Sequence, residues 1–130
     1  MTKVKLNFAV TCDQTIIDDK GKLSILGIFQ KIYTQSVPAL HNKFTLVINT
    51  IGEPKSSYLQ KIEIVNPQDN KSIATLEQKI EFKERGSNNF IGNFINTIFP
   101  NFGKYFIKIT IDNEVMTNSD VNYISIERPS

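Results

Sequence analysis

The sequence predicts an all-β fold: one antiparallel two-sheet β-sandwich, immunoglobulin-like with Greek-key connections, of about eight strands spanning residues 1–130. Three observations carry that expectation. Apolar and polar residues alternate with a period of two in segment after segment. Turn residues punctuate the chain at intervals of about 8–14 residues. No stretch shows a convincing helical stripe. A chain of 130 residues also suffices for a core, since the scaling rule leaves roughly 7,000 Å² accessible when folded against roughly 21,000 Å² unfolded.

Val4, Leu6, Phe8, Val10 and Cys12 share one parity, so a first strand points all five to one face as a buried stripe. Cys12 then reads as a small core hydrophobe. Asp18-Asp19-Lys20-Gly21-Lys22 is a polar turn joining residues 15–18 to an apolar run at 23–32. That run reads as a strand buried on both faces. Val37-Pro38 interrupts the pattern, because proline lacks a ladder donor. Residues 43–51 resume it with Phe44, Leu46 and Ile48 on one side and Val47 and Ile51 on the other. A strand at 58–65 follows Gly52-Glu53-Pro54-Lys55 and ends at Asn66-Pro67-Gln68-Asp69-Asn70.

The cleanest alternation lies at 71–83. Ala74, Leu76, Gln78, Ile80 and Phe82 take one face, and Thr75, Glu77, Lys79 and Glu81 the other, as in a half-exposed antiparallel strand. Residues 84–89 form a loop. Residues 90–102 are ambiguous: Phe90, Ile91, Phe94, Ile95, Ile98 and Phe99 fit a helical face about as well as a strand. Asn93, Asn96, Thr97 and Pro100 are poor helix residues, which favours the strand. Tyr105, Ile107, Ile109 and Ile111 then alternate with Phe106, Lys108 and Thr110. Asp112-Asn113 suits a tight hairpin turn into 114–116, and a last strand runs through 121–127.

Composition removes several function classes. Fifteen Lys and Arg against thirteen Asp and Glu leave a net charge of +2, too small to imply a polyanionic partner, so no nucleic acid is expected. One Cys excludes a disulfide framework, and one His excludes a multi-histidine metal site. No apolar run approaches the roughly 20 residues of a membrane span. Lys5, Asn7 and Thr11 interrupt what would otherwise be a secretory stretch, and the chain reads as cytoplasmic.

Catalysis needs a nucleophile beside a base, paired carboxylates, a metal cluster or a phosphate cradle. His41 reads as a surface-loop residue and Cys12 as a core residue, so the two are not expected to meet. Gly21-Lys22 is a turn rather than a phosphate loop. Asp18 and Asp19 are the nearest approach to calcium ligands, without ligand spacing. No catalytic residue, cofactor or metal is expected, and the sequence argues against an enzyme.

The stretch from Cys12-Asp13 to Asp19-Lys20-Gly21-Lys22-Leu23-Ser24-Ile25-Leu26-Gly27-Ile28-Phe29 resembles a family of small prokaryotic proteins known only as a domain of unknown function. Its members show a strand ending in Cys-Asp, a Gly-Lys turn and a strand reading Ser-Ile-x-Gly-Ile-Phe. The family's Pro-x-x-His step is matched by Pro38-Ala39-Leu40-His41. Its Phe-Pro-x-x-Gly-x-Tyr is matched, with one extra residue, by Phe99-Pro100-Asn101-Phe102-Gly103-Lys104-Tyr105. The likeness covers nearly the whole chain and implies a β-sandwich with no established activity. Independently, a tyrosine opening a late strand can bury its ring and hydrogen-bond a loop carbonyl through its hydroxyl.

The function expected from these residues is a non-enzymatic module for protein interaction or self-association. Phe90, Phe94, Ile98, Phe99 and Phe102 form its candidate patch, facing an unknown protein partner or a second copy. The alternative is a small-ligand, carbohydrate-type binding module using Tyr33, Tyr58, Phe106 and Tyr123 as aromatic platforms.

Overall fold

The computed structural model describes residues 3–130; Met1 and Thr2 lie outside them. Ten strands follow one another: β1 (Lys5–Ile17), β2 (Leu23–Phe29), β3 (Lys31–Tyr33), β4 (Ala39–Ile51), β5 (Ser57–Val65), β6 (Ser72–Glu81), β7 (Ser87–Phe99), β8 (Gly103–Ile111), β9 (Glu114–Val115) and β10 (Tyr123–Glu127). Among the described residues there is no helix. A four-stranded sheet, ordered β2-β1-β4-β7, faces a six-stranded one ordered β3-β10-β8-β5-β6, with β9 paired to β8. The fold is an all-β sandwich. Neighbouring strands are antiparallel, with one exception: β3 lies parallel to β10.

In the six-stranded sheet the two-residue period maps directly onto burial. Ile62 and Ile64 of β5, Ile80 of β6, Tyr105, Ile107, Ile109 and Ile111 of β8, and Ile124 and Ile126 of β10 all enter the core. Lys61, Glu63, Glu77, Lys79 and Lys108 stand on the alternate positions, outside. Asp112 and Asn113 both take positive φ (53° and 62°), the mirror-image geometry that a right-twisted hairpin prefers. The Asp18 carboxylate accepts from the Lys20 and Lys22 amides, both at 2.8 Å, and closes the β1–β2 turn.

The apolar run at 23–32 is not one strand buried on both faces. It bends at Gln30 and changes sheet: β2 is an edge of the smaller sheet, and β3 an edge of the larger. The Gln30 carbonyl accepts from the Ser125 amide at 2.7 Å, and its side chain donates to the Val121 carbonyl at 2.7 Å. These bonds anchor the bend to the larger sheet, leaving Leu26 and Ile28 of β2 39% and 61% exposed. Residues 15–17 are the end of an unbroken β1 rather than a strand of their own.

The single stripe expected from Val4 to Cys12 is split. The register between β1 and β4 shifts between Leu6 and Phe8, and such an irregularity exchanges the two faces of a strand. Leu6 and then Ala9 pack against the core, while Phe8, Val10 and Cys12 turn outward.

The ambiguous stretch at 90–102 resolves as β7, with a reversal inside it. Phe90 and Phe94 are core, and so is Phe99, a spacing that strict alternation forbids. Asn96 takes a left-handed φ of 53°, and the faces exchange there. Opposite it β4 changes too, between Phe44 in the core and His41, whose ring lies 6.0 Å from that of Phe29 and 5.9 Å from that of Phe44. His41 therefore belongs to a strand and packs between two aromatic rings, rather than sitting in a surface loop.

Candidate functional site

The expected patch does not assemble. Phe90, Phe94 and Phe99 are buried, at 6%, 7% and 0% exposure. Phe94 stacks on Phe44 with centroids 5.0 Å apart, and Phe99 meets Tyr105 edge-on at 5.0 Å. Ile98 is exposed on the opposite side of the strand, and Phe102 lies half-buried under the Arg128 guanidinium, 4.6 Å from its centroid. The exchange of faces at Asn96 separates these residues.

A different surface takes its place, the outer face of the four-stranded sheet. Cross-strand partners share a face, so the registers define it. Val10 stands opposite Val47, Cys12 opposite both Thr45 and Ile28, and Val47 opposite Ile91. Cys12 and Val47, at its centre, are wholly shielded by their neighbours, although neither belongs to the core between the sheets. Around them Phe8 (39%), Ile51 (42%), Ile28 (61%) and Ile95 (66%) remain exposed. Lys5 and Lys43 supply charge towards its two ends.

Polar side chains on this face bond one another. The Asn7 amide donates to Asn49 at 2.8 Å, and the Asn49 amide to Asn89 at 2.6 Å, a ladder across β1, β4 and β7. The Thr45 hydroxyl donates to the Asn93 carbonyl oxygen at 2.8 Å. The larger sheet presents the contrary surface. There Lys61 stands opposite Glu77, and Glu63 opposite Lys108.

The Cys12 thiol is pushed up from its ordinary value, first by burial and then by the neighbouring Asp13 carboxylate, against a smaller opposing backbone hydrogen bond at Gln14. A thiol held in its neutral form is a poor nucleophile and a poor metal ligand. Among the described residues no three His, Cys, Asp or Glu side chains cluster as metal ligands. Asp18 is engaged in its turn, and Asp69 likewise accepts from the Lys71 amide at 2.9 Å. Of the proposed aromatic platforms, Phe106 and Tyr123 are cross-strand partners, and Lys104 covers the Tyr123 ring at 4.6 Å. Tyr58 packs edge-on against Phe82, and Tyr33 is exposed on another strand.

Sequence reasoning missed Phe8, Ile28 and Ile95 as surface residues. The available signal was an excess: in 23–32 and 90–99 both parities are apolar, more than one core face requires.

No helix among the described residues is long and apolar enough to cross a membrane. No curated protein matches the chain. The model of a family of unknown function, DUF6941, matches residues 7–122, and the chain belongs to that family.

Proposed function

We propose that this protein is a non-enzymatic interaction module that docks another polypeptide through the outer face of its four-stranded sheet. One observation carries the reading: the two outer faces of the same sandwich differ in kind. One is laced with opposite charges that surround its exposed Leu59 and Tyr33, whereas the other exposes Phe8, Ile28, Ile51 and Ile95 around a dry centre of Cys12 and Val47. Exposed apolar side chains interleaved with polar groups that bond one another are the makings of a docking surface. Two further features favour binding over catalysis. His41 is packed between rings, and the carboxylates of Asp18 and Asp69 are committed to turns.

A photo-crosslinking side chain placed at Ile28 in the intact protein tests this in cells. A discrete protein adduct from position 28, with none from a probe at Lys108 on the charged face, is the expected result. No adduct, or the same adducts from both positions, overturns the reading.

A further inference from the structure

Each sheet of the sandwich ends in strands paired on one side only, and the four edges are not alike. β3 has three residues. β6 carries Glu77, Lys79 and Glu81, charges of the kind that keep edges from pairing with other chains. β2 has seven residues and is interrupted by Gly27 at a left-handed φ of 71°. β7 is different: its 13 residues, SNNFIGNFINTIF, contain no charge and no proline. Residues 87–95 of it pair with β4 residue for residue and precede the Asn96 kink. Alternate N–H and C=O groups along that stretch point away from β4 with no strand to receive them. β6 of the facing sheet runs beside β7, and an open groove of about 350 Å³, lined by Ile73, Leu76, Asn93, Ile95 and Ile98 among others, separates them.

We propose that β7 is a dimerisation edge. Residues 91–95 of the β7 strands of two copies pair antiparallel about a twofold axis at Asn93, within the stretch that precedes the Asn96 kink, joining two four-stranded sheets into one of eight strands. The occupant is a second copy because the strand is complementary to itself. With the axis at Asn93, Ile91 meets Ile95 of the second copy on the outer face, twice over. Asn93 meets its own equivalent. Its carbonyl oxygen is engaged by Thr45, while its amide N–H₂ has no hydrogen-bond partner among the described residues and can donate across the axis. No like charges oppose one another anywhere along this junction.

The dimer goes beyond the docking role of the outer face and shares Ile95 with it, but the crosslink at Ile28 reads docking alone and sedimentation with cysteine mapping at Asn93 reads the pairing alone, so the two fail separately.

Sedimentation equilibrium on the intact protein, combined with cysteine mapping, tests the pairing. The wild type is expected at twice the mass of one chain. Ile95→Glu, which can pair with Lys43 in its own chain but sets a charge against Ile91 of the second copy, is expected to return a folded single chain. In a Cys12→Ala background, Asn93→Cys places two thiols directly opposite across the axis, and mild oxidation is expected to link them. Asn89→Cys, off the axis on the same face, is expected to stay unlinked. A monomeric wild type, a dimer indifferent to Ile95→Glu, or equal linkage through both cysteines overturns the proposal.

Discussion

The Tyr105 hydroxyl both donates to the Asn101 carbonyl oxygen, at 2.8 Å, and accepts from the Asn101 amide, at 3.0 Å. A single phenol thus closes the turn between β7 and β8, while its ring packs edge-on against Phe99 in the core. Burial raises the phenol above its ordinary value, with the Asn101 hydrogen bond opposing and the Asp69 charge assisting. Tyr105→Phe keeps the ring and strands both backbone groups. It is expected to cost about 1–2 kcal/mol in urea unfolding, with a native fold retained. A neutral result would mean that the hydroxyl bonds add nothing to the stability of the turn.

The kink at Asn96 gives a second expectation. A left-handed residue in mid-strand is tolerable for Asn and free of strain for Gly, but a β-branched side chain clashes there. Asn96→Val should lose about 1–2 kcal/mol, while Asn96→Gly stays within about 1 kcal/mol of the wild type. Comparable losses from both would remove backbone strain as the reason.

Phe94 and Ile98 lie four residues apart on either side of that kink, and they should respond very differently. Phe94 is 7% exposed and stacked on Phe44, so Phe94→Ala should cost about 3–5 kcal/mol. Ile98 is 56% exposed, and Ile98→Ala should change stability by less than about 1 kcal/mol. Thermal unfolding of the two variants measures the contrast. Equal losses would place both side chains in one core.

Gln60 is buried in β5 with neither polar atom of its amide hydrogen-bonded to the protein. Such a group costs free energy that an apolar residue of similar shape does not. Gln60→Met is expected to raise the stability by about 1–2 kcal/mol, measured as a higher urea midpoint at unchanged slope. A destabilised variant would show that the amide has partners in solution.

Cys12 predicts a pH dependence. Its folded pKa is raised above the ordinary 9.0, so the folded state holds the proton more tightly than the unfolded chain. The resulting stabilisation is fully present below pH 9.0 and is lost as pH rises through the folded value. Unfolding free energies should decline above pH 9.0 in the wild type, with a shallower decline in Cys12→Ala. Identical slopes in the two proteins would show that the thiol takes no part.

How far residues alone revealed this molecule can be read from β6 and β7. In β6 charges stand at alternate positions, so the alternation names the wet side, and of the expected face Ala74, Leu76, Ile80 and Phe82 pack inward while Gln78 stays exposed. In β7 Ile91, Ile95 and Ile98 are as apolar as Phe90, Phe94 and Phe99, so hydropathy could not separate the surface set from the core set. The candidate patch consequently mixed the two. The Asp112-Asn113 turn and the Tyr105 hydroxyl were legible for the opposite reason, since each depends on residues close together in the chain.

Local chemistry by itself determined that this chain would be extended, where it would turn and that it would form a sandwich. Turn geometry and a period of two need only near neighbours. Which face of each strand became dry was decided elsewhere: by the shift between Leu6 and Phe8, by Asn96 opposite β4, and by the bend at Gln30. Each is set by pairing with strands distant in sequence, and a displacement of one residue turns every following side chain over. Only the assembled sheets fix those registers.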